Sequence, residues 1–143
     1  MIKHSVLLAF VIIVLLGTQN TVQANESLEY KLACINSGGY VARDHISVNR
    51  IRSLLNQLST TYVENRQEIG DMSAYVQKQL KKNGVEEGVL NIMEDLNQFS
   101  VGKVGSQKYT NYATAYLILR VQGQSRAQTI RGLRDYLRKQ GIY

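Results

Sequence analysis

The sequence predicts an all-α fold: a single compact helical domain of five to six helices packed around a central buried helix at 109–121, after a cleaved signal peptide. Three observations carry this reading. Between Tyr112 and Val121 only Thr114 and Arg120 interrupt an apolar run, so the segment has almost no face suited to water. It is far shorter than the roughly 20 residues that span a bilayer, and polar residues flank it, which points to a core helix. Elsewhere, apolar residues recur at spacings of three and four, and nowhere do apolar and polar residues alternate for long enough to argue a strand.

The first element is an export signal. Lys3 precedes an apolar run from Ser5 to Leu16, and Val22-Gln23-Ala24 places small residues where a signal peptidase reads. Cleavage is expected after Ala24, giving a periplasmic or secreted chain that starts at Asn25. An uncleaved anchor is disfavoured because the apolar run is only about a dozen residues long. Leu32-Ala33-Cys34 resembles the end of a lipoprotein box, but Glu26, Glu29 and Lys31 separate it from the apolar run. Lipidation is therefore not expected. Cys34 is the chain's single cysteine, so no internal disulfide can form. It is either a small buried hydrophobe, the commoner place for a free thiol, or an exposed thiol open to intermolecular pairing.

From Asn25 onward about 119 residues remain, the length of one domain. Proline is absent, and no low-complexity tract marks a linker. Ser27 to Ile35 sets Leu28, Leu32 and Ile35 at helical spacing, and Gly38-Gly39 ends that helix. Ser47 is the expected N-cap of a second helix with Ile51, Leu54, Leu55, Leu58 and Tyr62 on one side. The same phase runs on through Ile69, Met72, Val76 and Leu80 to Asn83-Gly84. One helix of about 36 residues would be roughly 54 Å long, too long for a globule of this size. A break is expected near Gly70-Asp71, where glycine weakens a helix and aspartate can cap a new one.

Val85 to Phe99 reads as a helix with Val89, Ile92, Met93 and Leu96 inward and Glu86 and Glu87 in its first turn, at the positive end of its dipole. Val101 to Ser106, with two glycines, reads as a loop. After the central helix, Gly123 is the stop, and Ser125 with Gln128 forms a capping box that starts the last helix. That helix turns Ile130, Leu133 and Leu137 inward and ends at Gly141.

No catalytic set emerges. His45 is the one histidine outside the signal, and its separation from Cys34 by a glycine turn gives no ground for a nucleophilic dyad. Glu86, Glu87, Glu94 and Asp95 are the candidates for carboxylate catalysis, but helical neighbours point about 100° apart. Only Glu87 and Glu94 share a face, which leaves a carboxylate hydrolase as the weaker reading and an acidic surface as the plainer one. One histidine and one cysteine cannot make a conventional zinc site, calcium-loop spacing is lacking, and there is no phosphate-binding glycine pattern. No cofactor or metal is indicated.

Charge carries the functional expectation. The chain has a formal net charge of +6, and its basic residues gather after residue 100. Arg131, Arg134 and Arg138 follow i, i+3, i+7 along the last helix. Tyr109, Tyr112 and Tyr116 stand at the same spacing on the central helix; they serve either as core, with their hydroxyls at its margin, or as a stacking platform for a sugar or a partner. The stripe is either a solvated face or a dock for something anionic. A small exported domain without a catalytic set is most economically a binding protein, and the preferred form is an antagonist such as an immunity-type inhibitor of an envelope-acting toxin or enzyme. Its partner would be another exported protein with an acidic patch. The alternatives are a binder of anionic envelope polymer or lipid headgroups, and a periplasmic holdase or assembly factor. Export argues against a nucleic-acid partner.

Overall fold

A computed structural model describes residues 26–100 and 105–141. The expected signal peptide, its cleavage site and most of the 101–106 loop lie outside the described residues. The fold is all-helical, with six helices among those residues: α1 (Leu28–Ser37), α2 (Ile46–Thr61), α3 (Arg66–Lys82), α4 (Val89–Asn97), α5 (Tyr109–Val121) and α6 (Arg126–Lys139). Helices α2, α3 and α4 pack on one another, α1 lies across all three, α5 packs on α3 and α4, and α6 packs on α5.

Local chemistry sets most helix ends. The Ser27 side chain accepts the Tyr30 N–H to start α1, and Gly38 closes it in the left-handed conformation at φ 72°, where a side chain would be strained. The α5–α6 turn uses Gly123 at φ 88°. Ser125 and Gln128 then form the expected reciprocal capping box.

Four expectations need correction. The N-cap of α2 is His45, whose Nδ1 accepts the Ser47 N–H at 3.2 Å; Ser47 lies inside the helix and bonds the same ring at 2.7 Å through its hydroxyl. The 47–82 stretch does divide, but at Tyr62–Asn65. Tyr62 turns to extended backbone so that its ring is buried and its hydroxyl donates to the Leu96 carbonyl at 3.1 Å. Asn65 and Glu68 then form a full capping box for α3, which outweighs a single glycine as a place to begin a helix. Gly70 sits within α3 for a packing reason, since a Cβ there would meet the Leu28 and Leu32 methyls of α1 at 3.1 Å.

The third correction concerns α4, which begins at Val89 with Gly88 as its N-cap. Glu86 and Glu87 precede the helix and are not in its first turn. Asn36 of α1 supplies the missing cap, its Oδ1 accepting the Leu90 N–H at 2.9 Å. Fourth, α5 is buried on one face only. Tyr109, Tyr112, Ala113 and Tyr116 are inside, while Ile118 is 50% and Val121 41% exposed. With α3, α4 and α6 as its neighbours, no described helix packs on the stripe through Thr114, Ile118 and Val121.

The core is continuous across the six helices, with Ile51, Leu55, Ile69, Leu80, Ile92 and Leu96 fully buried. In α1 the inward residues are Tyr30, Leu32 and Ala33, whereas Ile35 is 44% exposed. Cys34 is half-buried and packs against the core edge.

Candidate functional site

The α5–α6 hairpin holds most of the residues that the sequence marks for binding, and two features fix its position. The first lies at the N-terminus of α5, where Lys108 offers no side-chain cap. The Glu64 carboxylate takes that role from the α2–α3 turn, accepting the Tyr109 N–H at 2.8 Å and the Thr110 N–H at 3.0 Å. Burial would raise the Glu64 carboxyl, but these backbone donors outweigh it and hold it below the ordinary carboxylate value.

The second feature is a buried ionic cluster. Arg126, the first residue of α6, grips Asp95 of α4 with two hydrogen bonds of 2.9 and 2.8 Å. Its Nε lies 3.1 Å from Glu87 Oε1, an ion pair without a hydrogen bond because that N–H is aimed at Asp95. Arg120 donates to Glu87 Oε2 at 2.8 Å and also to the Gln124 carbonyl. Tyr116 donates to Asp95 Oδ2 at 2.8 Å. Burial, then the hydrogen bond to Asp95, pushes the Tyr116 hydroxyl far up, so it stays a donor. The two carboxylate side chains are 1% and 3% exposed, and two guanidinium groups balance their charge.

This arrangement sorts the candidate residues. Tyr116 is wholly buried and belongs to the cluster, out of reach of a partner. Glu87 is buried and held by two arginines, while Glu94 pairs with Arg50, so the two do not form an open acidic surface or a carboxylate pair facing a common substrate. Tyr109 is buried against α3, its hydroxyl 2.7 Å from Ser73 Oγ. Tyr112 packs between Tyr62 and Phe99, with centroids at 5.5 and 6.2 Å, and its hydroxyl donates to Gln107 Oε1 at 2.6 Å. Cys34 lies on α1 and His45 caps α2 through its ring, where that ring also meets Ser47.

Tyr112 does reach a surface feature. A groove of about 400 Å³ opens between the start of α5 and the end of α6. Tyr112, Ala115, Leu133 and Leu137 give it an apolar floor, Tyr136 stands at its wall 58% exposed, and Lys108 is at its polar end. Arg131, Arg134 and Arg138 do not line it. They lie roughly 140 to 160° around α6 from Tyr136, at about 100° per residue. Arg138 is 3.8 Å from Asp135, while Arg131 and Arg134 have no acidic partner among the described residues. The sequence reading missed Tyr136, Leu133 and Leu137 as a binding set; the usable signal was a large aromatic beside an inward leucine pair on a short helix. Among the described residues there is no cluster of three or more His, Cys, Asp or Glu side chains placed to hold a metal.

A protein-family model named MoxZ matches residues 39–137. The chain belongs to the MoxZ family. The MoxZ span runs from the glycine turn after α1 to Leu137 of α6, so it contains the ionic cluster and the α5/α6 groove and leaves α1 outside. No curated protein and no solved structure matches the chain.

Proposed function

We propose that this MoxZ-family protein is a small exported binding protein that antagonises another exported protein by taking an acidic segment of it into the α5/α6 groove. The observation that carries the reading is the groove itself: an apolar floor with an exposed tyrosine at its wall and a lysine at its end, on a hairpin fixed by a buried ionic cluster. An exposed aromatic beside a concave apolar floor is the usual anchor of a protein interface. A rigid groove of this kind also loses little freedom on binding. Export rests on the N-terminal sequence pattern. Among the described residues no helix is long and apolar enough to cross a membrane.

Affinity capture from envelope extract, read by mass spectrometry, tests this. Wild-type protein is expected to retain a partner that Tyr136→Ala with Lys108→Glu loses, and the purified protein should inhibit that partner's activity. Capture unchanged by those substitutions overturns the proposal.

Arg131 and Arg134, without an acidic partner among the described residues, favour a second reading, in which the stripe binds anionic envelope polymer or lipid headgroups. Binding would then fall steeply with salt, each arginine removed would weaken it by a similar modest step, and Tyr136→Ala would have no effect.

A further inference from the structure

We infer that the protein carries a second docking surface, between α1 and α3, which receives an acidic amphipathic helix from a partner protein. A groove of about 530 Å³ lies there, lined by Ile35 of α1 and by Ala74, Tyr75, Gln77, Lys78 and Lys81 of α3, with Asp71 at one end. It shares no lining residue with the α5/α6 groove, so it goes beyond the function proposed above.

Three observations define the occupant. Ile35 and Tyr75 are large apolar side chains that line this groove and are left 44% and 51% exposed. No described residue covers them, which marks a site of interaction. Asp71, Ala74 with Tyr75, Lys78 and Lys81 follow i, i+3/i+4, i+7 and i+10. One face of α3 therefore runs from Asp71 through an apolar pair to two lysines over nearly three turns.

Charge decides the sign of the partner. Lys78 and Lys81 have no acidic partner among the described residues, and the one carboxylate in the groove, Asp71, already accepts from Gln67 Nε2 at 2.9 Å. The helix dipole accounts for Lys81 in the last turn of α3, but Lys78 stands a turn earlier and lines the same wall as Tyr75. A second copy of this chain, docked through the same face, would set Lys78 and Lys81 against their own counterparts.

Periodicity decides the class. The lining follows one helical face of α3 with Ile35 of α1 at its edge, and an apolar and basic strip of that period suits the matching ridge of a partner helix laid along it. The wall is also preset, because Gln77 Nε2 donates to the Ile35 carbonyl at 3.3 Å and ties α3 to the end of α1. The occupant thus places aliphatic side chains between Ile35 and Tyr75 and carboxylates one turn further on, against Lys78 and Lys81. With two grooves, the protein can hold two partners, or two segments of one.

Photo-crosslinking tests this in the cells that make the protein, with p-benzoyl-L-phenylalanine in place of Tyr75 and sequencing of the crosslinked peptide. The expected product is a protein segment of helical period with apolar and acidic residues. Its yield should fall about tenfold or more with Lys78→Glu and Lys81→Glu, where attraction becomes like-charge repulsion. It should persist with Tyr136→Ala and with Arg131→Ala, Arg134→Ala and Arg138→Ala together, so this surface and the α5/α6 groove stand or fall separately. Circular dichroism melts check that the reversed variant folds. If it does not, Lys78→Gln with Lys81→Gln takes its place, with an expected loss of several-fold. A crosslink to lipid, to a second copy or to a segment without acidic residues overturns the inference, as does no crosslink, or one that the lysine substitutions leave unchanged.

Discussion

Arg126 holds both carboxylate oxygens of Asp95, at 2.9 and 2.8 Å, and so fastens the first turn of α6 to α4 across 31 positions of sequence. This contact, with Glu87 and Arg120 beside it, anchors the start of α6, while Leu133 and Leu137 bury its later turns. Hydrogen bonding to Asp95 pushes the Arg126 guanidinium up from an already high value, so its charge persists at any ordinary pH.

Arg126→Ala should therefore leave Asp95 as a buried carboxylate that keeps the Tyr116 hydrogen bond but has lost its guanidinium. The range for breaking a buried pair is about 3 to 5 kcal/mol. Because the Arg126 side chain is itself 41% exposed, about 2 to 4 kcal/mol is expected after solvent screening. Tyr116→Phe removes one hydrogen bond to the same carboxylate and should cost about 1 to 3 kcal/mol. Urea melts of both variants check the order.

Glu64 makes the acid limb of stability testable. Its folded-state carboxyl lies below its ordinary value of 4.5, so its contribution is fully present above that pH. It is lost as the pH falls through the lower, folded value. Glu64→Gln should cost about 0.5 to 2 kcal/mol at neutral pH, the range for a helix cap, and should flatten the fall in stability below pH 4.5. Denaturant midpoints measured from pH 7 to pH 3 decide it, and parallel curves for the two proteins would remove the Glu64 cap from the account.

Burial distinguishes two helical leucines that the sequence reads as inward. Leu96 of α4 is wholly buried, so Leu96→Ala should cost about 2 to 5 kcal/mol. Leu117 of α5 is only partly buried because that helix keeps an outer face, and Leu117→Ala should fall clearly below that range. Equal losses in calorimetric melts would mean that α5 is covered on all sides.

Gly88 tests a contact that no local rule supplies. A Cβ at that position would lie 2.4 Å from Asn36 Oδ1, the atom that accepts the Leu90 N–H. Asn36 has to swing away, and α4 loses the side-chain cap that Asn36 supplies, so Gly88→Ala should cost about 1 to 2 kcal/mol. Asn36→Ala should cost a similar amount, and the double variant little more than either alone. Additive losses in a thermal-melt cycle would show that the two residues act independently.

The helical class, the extent of α5, and the local stops and starts are all legible in the residues: Gly38 after α1, Gly84 after α3, Gly123 after α5, and the Ser125–Gln128 box of α6. These signals lie within about four residues of the backbone groups they satisfy, and that is the reach of a helix turn. Tertiary structure decided what depends on distant partners. Tyr62 leaves its helix because its buried hydroxyl finds the Leu96 carbonyl 34 positions away, so the long stretch divides there and not at Gly70. Glu87 is buried and Glu86 exposed because Arg120 and Arg126 arrive from other elements. Nothing in a run of adjacent glutamates foretells which one will meet them. The candidate site divides the same way. The arginine stripe of α6 and the tyrosines of α5 are visible as spacings, but only the packing of α6 on α5 brings Tyr112, Leu133 and Tyr136 to one groove and turns the arginines away from it.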